Sequence, residues 1–585
     1  MEQFLPTSLD EGKRHHNKRN SVFEQFDVIF ITGDPYYDHP LSGIAILSRL
    51  LDKKSYKVGI IAQPETVEEF QACGKPKYFF CITSGLLDSM LANYTPMLKK
   101  RENVLVPERA TITYTQKIKE LFPGSMTIIG GVEATIRRFT HFDYKENTLR
   151  RGILNDSKAD LLLFGNAERA LLTLLQRMER SPSISSFPKI KKELDLPSIP
   201  GTAFRVKKDE LPKDTRILPS YEECLQDKLN FNLLTRIHFL RPDDPFIEPC
   251  GLGFIYHTEP EPTLTEEEMD FIYQLPFTRK LHPASKNREF NESMVEKLQH
   301  SVILGRGCWG SCTFCVIPLV QGKAVAKRSQ QSVLKEVEAL YKEGIPKVND
   351  LTLPTLNMYG SSCELYNHKE TLSSPIIDKE IDHYTKKEYC NQQCVGCKHR
   401  RISDDLYPLL EGVERLQQKY QGAELELRSA IRHDIILDQP KLFRKIMQFI
   451  SRLKIAPEHI DEEVLKNMNK GTRDDFVRFL AEYKRVNFEQ GTKKNLVPYF
   501  VAAHPGSTKE SMRKLKRFCD DNELYVNLTQ VFTPTPGTVA TAMYYSGENP
   551  LTREKIFVPR AFREKKDQKN ILLRREADDF SDDQG

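Results

Sequence analysis

Residues 305–315 read GRGCWGSCTFC and set Cys308, Cys312 and Cys315 at C-x3-C-x2-C spacing. Thiols so closely spaced in an intracellular type of sequence read as metal ligands. Three of them leave a four-coordinate shell incomplete, so one position stays open to a reactant. The spacing recurs in CNQQCVGC, at Cys390, Cys394 and Cys397. There Cys363, 27 residues upstream, can supply a fourth thiolate. Four thiolates make a closed shell suited to zinc or an auxiliary iron–sulfur cluster. A thiol-bearing loop without metal is the alternative for this second set. The first set has Gly305, Gly307 and Gly310, which let the backbone bend tightly. It also has Trp309 and Phe314, apolar groups able to shield a cluster and help set its potential.

The remaining composition narrows the setting. Net charge is +5 from 86 basic and 81 acidic residues, too balanced to imply a nucleic-acid partner. No apolar run approaches the length of a membrane span, and the first twenty residues lack the apolar core of a secretory signal. A cytoplasmic, reducing location is expected, where cysteines serve as ligands, catalytic groups or buried thiols. Seven of the twelve cysteines lie between Cys308 and Cys397. The other five (Cys73, Cys81, Cys224, Cys250 and Cys519) are isolated and read as core thiols.

The elements that must carry the cysteines follow from periodicity. After a polar segment, residues 1–25, the runs DVIFITG, KVGIIAQ, KYFFCIT, MTIIGG and ADLLLFG alternate with amphipathic stretches. Continuous apolar strands between helices predict a parallel sheet covered on both faces, a flavodoxin-like doubly wound domain over 26–180. Its loops GDPYYDHPLSG and GGVEATIRRF stand where such folds bind ligands. A cobalamin loop would read D-x-H-x-x-G, but Asp38 directly precedes His39 and Gly43 lies four residues on, so cobalamin is disfavoured. Residues 181–299, rich in proline and charge, read as a linker with short elements. Strand-like runs at 300–305, 348–353, 424–431, 452–458, 497–503 and 525–532, most followed by a helical pattern, predict an open, partial (β/α)6 barrel over 300–550. A cysteine-bearing insertion spans about 361–402, and 551–585 reads as a charged, disordered tail.

The first cysteine set sits just after the first barrel strand, and the run HSVILGRGCWGSCTFCVIP resembles the YgiQ-like family of radical S-adenosylmethionine (SAM) proteins. So do FITGDPYYDHPLSG, GGVEATIRR, FGNAERA, NMYG, LKIAPEH and YFVAAHPGST, in order along the chain. The resemblance implies that Cys308, Cys312 and Cys315 bind three irons of a 4Fe–4S cluster, with SAM chelating the fourth. Reductive cleavage of SAM then yields a 5′-deoxyadenosyl radical that abstracts hydrogen from a substrate no short motif encodes. An external low-potential donor of flavodoxin or ferredoxin type is implied, because no donor domain is visible. Zinc at these three cysteines is disfavoured by the ligand count.

The same resemblance assigns the rest of the pocket. Ser429 and Arg432 in LRSAIRHD fall where the ribose or the SAM carboxylate is held, Glu458 in IAPEH matches another pocket position, and His504, Pro505 and Gly506 match a turn near the adenine. The family's strand after the cluster ends in a glycine pair that bonds the SAM amino group; here the run is DLTLPTLNMY, with Thr352 and Leu353 at that edge. If that edge required positive φ, both residues would be strained. The departure motivates one rival, a degenerate, non-catalytic iron–sulfur or zinc protein. A second rival is an RNA-modifying enzyme akin to methylthiotransferases, which would need a basic RNA-binding module that is not evident.

Overall fold

The computed structural model describes residues 3–180, 191, 193–213, 215–364, 392–526 and 529–573. The chain forms two units. The first comprises the chain up to Asn230 with Arg241–Ile303 and Leu319–Gly322; the second comprises Phe231–Leu240, Leu304–Pro318 and the chain from Lys323 on.

The first unit is built on strands β1 (Val28–Thr32), β2 (Val58–Ala62), β3 (Phe79–Thr83), β4 (Met126–Ile129) and β5 (Leu161–Leu163). They pair in parallel in the order β2-β1-β3-β4-β5, the flavodoxin-like order. Strand residues point alternately to opposite faces, and both faces are buried. Val28, Phe30, Phe79, Cys81, Met126 and Ile128 pack on one side, and Ile29, Ile31, Phe80, Ile82 and Ile129 on the other. Helices Gly43–Lys53 and Glu168–Arg180 contribute Leu51, Leu171 and Leu175 to the first layer, and helix Ala110–Leu121 contributes Tyr114 and Ile118 to the second. This is why five short runs of β-branched and aromatic residues specify a sheet.

The segment read as a linker is structured. It adds β6 (Thr202–Val206), β7 (Arg216–Ile217), β8 (Phe246–Cys250) and β9 (Gly253–His257) to the same sheet, in the order β5-β6-β9-β8-β7. The pairs β5–β6, β6–β9 and β9–β8 are antiparallel. These strands extend the layers with Phe204, Val206, Ile247 and Ile255. Cys73, Cys81, Cys224 and Cys519 are buried and Cys250 is partly so, as expected of core thiols.

The second unit is an open β/α barrel. Lys347–Val348 pairs in parallel with Glu424–Leu425, Ile431 bridges Ile455 in parallel, and Arg452–Glu458, Asn495–Ala502 and Thr529–Val531 form a parallel sheet. The Leu304 N–H donates to Thr352 O at 2.9 Å, bringing the start of the unit beside strand Asp350–Thr352. Helices Gln330–Lys342, Leu406–Lys419, Pro440–Gln448, Arg473–Glu489 and Lys509–Asp521 cover the strands. Val333, Val337, Leu340 and Tyr341 of the first line its buried face, and Gly344 just beyond has φ +82°. The antiparallel pair Ser362–Cys363 with Arg400–Arg401 closes the base of the cysteine-bearing insertion.

The tail also departs from expectation. Residues 562–573 form a helix, Phe562–Leu573, packed against helix Lys509–Asp521. Its inward face carries Lys565, Gln568 and Leu572. Two of those three are polar, which gives the segment the composition of a solvated tail.

Candidate active site

The cysteine loop leaves strand Gly305–Arg306, which pairs antiparallel with Ala326–Lys327. Gly305 is obligatory there, because a Cβ would lie 2.3 Å from Ala326 O. Gly307 follows with φ +88°. The loop is then pinned from three directions. The Thr313 N–H donates to Met468 O (3.0 Å) and its hydroxyl to Asn467 O (2.7 Å). The Asn469 amide donates to Ser311 O (2.7 Å), and the Ala540 N–H to Thr313 O (3.0 Å).

Three thiols result, none in a disulfide, with Cys308 buried and Cys312 and Cys315 half-buried. Cys308 Sγ lies 3.8 Å from Thr355 Oγ1 and 3.7 Å from Met358 Sδ. Burial pushes the Cys308 thiol up, opposed by the Arg432 guanidinium, and pushes Cys315 up to about 12. Arg432 Nη1 stands 3.7 Å from Cys312 Sγ. Gly310 leaves the space for this, since a Cβ would come 2.9 Å from Arg432 Nη1 and 3.3 Å from Cys308 Sγ.

Three clustered thiols fit a 4Fe–4S cluster, whose thiolates each take a different iron. The neighbouring guanidinium favours the thiolate form such ligation needs.

Arg432 is held from two sides. Its Nε donates to Asp434 Oδ1 at 2.9 Å and its Nη2 bonds Asp434 Oδ2. Burial alone would raise the Asp434 carboxyl, but the guanidinium outweighs it and holds the carboxyl below the usual range. The backbone is set by Asn357, whose Oδ1 accepts the Arg432 N–H at 2.9 Å.

Glu458 ends its strand at a register shift, is buried, and has φ +68° despite being an L-residue. Burial raises its carboxyl, and Lys470 Nζ, 3.6 Å from Oε1, opposes the shift. Such strained, buried carboxylates concentrate at functional sites.

His504 is fully buried. Its Nδ1–H donates to Pro505 O at 2.8 Å, and burial lowers its pKa to about 3, so the ring is neutral. Its ring meets Phe314 edge-on at 5.9 Å, next to Cys315, and Gly506 follows with φ +94°. Arg432 and His504 are therefore at the cysteine loop itself.

The remaining positions form a second group. The Ser429 hydroxyl donates to Asp350 Oδ2 at 2.6 Å, and the Arg428 and Ser429 N–H groups donate to Asp350 Oδ1. Thr352 Oγ1 is 3.4 Å from the same carboxylate. Leu353 is buried, its Cδ1 3.1 Å from where a Gly305 Cβ would stand. Neither Thr352 nor Leu353 has positive φ. The strain that their side chains threatened therefore does not arise.

Sequence reasoning does not single out Asp350, Thr355, Met358, Asn357 or Lys470. Four of the five lie in or beside the DLTLPTLNMY run, which is a usable signal; Lys470 has none.

Of the second cysteine set, Cys390 lies outside the described residues. Cys363 is opposite Arg400 in the closing pair, and Cys394 Sγ lies 3.4 Å from Ser311 Oγ. The buried Gln392 accepts from Ser311 Oγ (3.2 Å) and from the Asn469 amide (2.8 Å), so the insertion rests on the cysteine loop. In the first unit, His39 Nδ1 accepts the Leu41 N–H at 3.1 Å and Nε2 is 3.1 Å from Gln299 O. Both ring nitrogens are thus engaged.

A family profile described as "Radical SAM superfamily" matches residues 302–519, and one described as "Radical SAM N-terminal" matches 4–301. A UPF0313 protein of Methanocaldococcus jannaschii is 35% identical over 99% of this chain and 93% of its own length. Another, from Thermotoga maritima, is 33% identical over 98% and 99%. The chain belongs to the UPF0313 family of radical SAM proteins. As a radical SAM enzyme it also carries, at 527–581, a match to "Domain of unknown function (DUF3362)".

Among solved structures, the cobalamin- and [4Fe–4S]-bound methyltransferase TsrM from Kitasatospora setae is 14% identical, with TM-score 0.49, over 88% of this chain and 77% of its own. Aqua-cobalamin-bound OxsB is 12% identical, with TM-score 0.44, over 85% and 52%. Both hold cobalamin, and likeness at this level carries no inference about cobalamin in the present chain. No helix among the described residues is long and apolar enough to cross a membrane.

Proposed function

We propose that this radical SAM enzyme holds a 4Fe–4S cluster through Cys308, Cys312 and Cys315 and binds SAM beside it for hydrogen abstraction from an organic substrate. The observation that carries the proposal is the loop itself: three clustered thiols, a guanidinium 3.7 Å from the middle one, and a glycine whose missing Cβ leaves room between them. Cys308, Cys312 and Cys315 would hold the cluster, which would supply one electron for reductive cleavage of a SAM C–S bond with methionine as the leaving group.

The protein's part is binding and orientation. Arg432 balances thiolate charge while Asp434 and Asn357 hold it in place. Glu458 at the end of its strand and Ser429, bonded to Asp350, are further positions for SAM contacts, and the His504–Gly506 turn offers a neutral ring and open backbone for the adenine. Trp309 and Phe314 exclude water. The electron comes from a low-potential flavodoxin- or ferredoxin-type donor in the cytoplasm. The degenerate alternative is motivated by strain and crowding at Thr352 and Leu353; neither residue has the left-handed backbone that would cause the strain, and SAM binding by the reconstituted protein tests the crowding.

The test is anaerobic reconstitution with iron and sulfide, reduction, addition of SAM, and assay for 5′-deoxyadenosine. Formation in the wild type and loss in Cys312→Ala is expected. An intact cluster that yields none would refute the proposal.

A further inference from the structure

Ala503 opens the turn that precedes helix Lys509–Asp521, and its φ is +61°, a conformation an L-residue keeps only when its surroundings impose it. What imposes it comes from the far end of the chain. Gln568, fully buried on helix Phe562–Leu573, places Oε1 where it accepts both the Ala503 N–H (2.9 Å) and the Ser507 hydroxyl (2.8 Å). Its Nε2 donates to Ser507 O at 2.9 Å. One side-chain amide thus ties both ends of the turn Ala503–Ser507. Between them, the Gly506 N–H donates to Phe557 O at 2.7 Å. Outside the turn, Lys509 Nζ reaches Asp567 Oδ2 at 2.7 Å, holding the two helices together at the rim.

An amide offers an acceptor and a donor on one planar group without titrating, and Gln568 uses both here. The tied turn is the one whose His504 ring packs against Phe314, beside the third cysteine.

We propose that the C-terminal segment 551–573 is a working part of the SAM site, with Gln568 as the positioning residue that fixes the Ala503–Ser507 turn for SAM. The inference rests on the SAM-binding reading above. On this reading residues 551–573, within the match to a domain of unknown function, shape the cosubstrate site.

The test uses the reconstituted holoprotein. SAM affinity is measured anaerobically by calorimetry for wild type, Gln568→Leu and Gln568→Glu, alongside iron content and cluster absorption. Gln568→Leu, which leaves two buried donors and a carbonyl unpaired, is expected to weaken SAM binding about tenfold or more with an unchanged cluster. Gln568→Glu keeps the acceptor and loses the donor, so it is expected to fall between. Hydrogen exchange of the wild type supplies a second arm that needs no variant. SAM is expected to slow exchange both at 503–507 and in 562–573.

Wild-type affinity in Gln568→Leu would overturn the inference. So would SAM protection elsewhere in the barrel with both segments unchanged, which decides the matter even if the variants do not fold. A wild type that carries its cluster but does not bind SAM would instead overturn the functional proposal.

Discussion

Replacing Leu353 with glycine would restore a residue type that the radical SAM resemblance leads one to expect at this edge. The structure predicts that the replacement harms the protein. Leu353 is 3% exposed, and its Cδ1 fills the space above Gly305, 3.1 Å from where a Cβ would be. Removing a buried leucine side chain to alanine costs about 2–5 kcal/mol. Glycine adds roughly 0.5–1 kcal/mol through the freedom it gains in the unfolded chain. The backbone at 353 returns nothing for that freedom, because its φ is not positive. Leu353→Gly should therefore destabilise the barrel unit by about 2.5–6 kcal/mol. Trp309, the chain's only tryptophan, is 3% exposed in the cysteine loop, so denaturant titration of its fluorescence in the metal-free protein reads this unit alone. SAM affinity of the reconstituted variant should be no better than wild type. An unshifted unfolding midpoint together with tighter SAM binding would show that Leu353 obstructs the site, and the packing argument would fail.

Three further outcomes follow from specific contacts. Arg432→Gln strands the buried Asp434 carboxylate and should cost about 3–5 kcal/mol, while adding Asp434→Asn should recover much of the loss; equal stability of the single and double variants would refute the pairing. Cys394→Ala with Cys397→Ala should lower total bound metal while leaving the iron held at Cys308, Cys312 and Cys315; metal analysis showing no change would leave the second set as a thiol-bearing loop. In the first unit, burial lifts the Glu248 carboxyl from 4.5 to about 7, against the Thr140 N–H it accepts at 2.6 Å, with Arg138, His257 and Glu222 as its charged or titratable neighbours. The folded state binds that proton more tightly, so the associated stability is full below the unfolded pKa and lost as pH rises through about 7. Glu248→Gln should then stabilise the unit by up to ~3 kcal/mol at alkaline pH and hardly at all at mildly acidic pH. A gain independent of pH would refute it.

What was legible in the sequence follows from which side chains face inward. Strands such as VIFIT and FFCIT are buried on both faces, so their apolar runs announce themselves and their alternation with helices implies the parallel order. The four strands at 202–257 were harder to see. The outer ones carry residues such as Arg205, Arg216 and Glu248 among their apolar positions, and three of their pairings are antiparallel. The C-terminal helix was hidden for a related reason. It buries Lys565 and Gln568, so neither hydropathy nor charge distinguishes its inward face. The three cysteines of the loop were visible because intervals of four and three residues suffice to single them out. Their supports were not: Asp350 and Ser429 meet across 79 residues, and Ala503 and Gln568 across 65. Contacts at such separations leave no periodic trace in one chain.

The pairing of Gly305 with Leu353 shows how a motif can change without its geometry being lost. Gly305 has no room for a Cβ, since Ala326 O would stand 2.3 Å from it, so glycine is required on the strand that delivers the cysteine loop. The hollow this leaves is filled by the Leu353 side chain. The neighbouring Thr352 keeps its carbonyl in the ladder, accepting the Leu304 N–H, and turns its hydroxyl toward Asp350. A backbone donor or acceptor needs no particular side chain provided φ and ψ are accessible to it. With ordinary φ at both positions, the peptide groups of this edge remain open to the role that the resemblance gives a glycine pair. The side chains at 352 and 353 then contribute packing and strand registration, and on the proposed function the holding of SAM falls more to Arg432, Glu458 and the turn braced by Gln568.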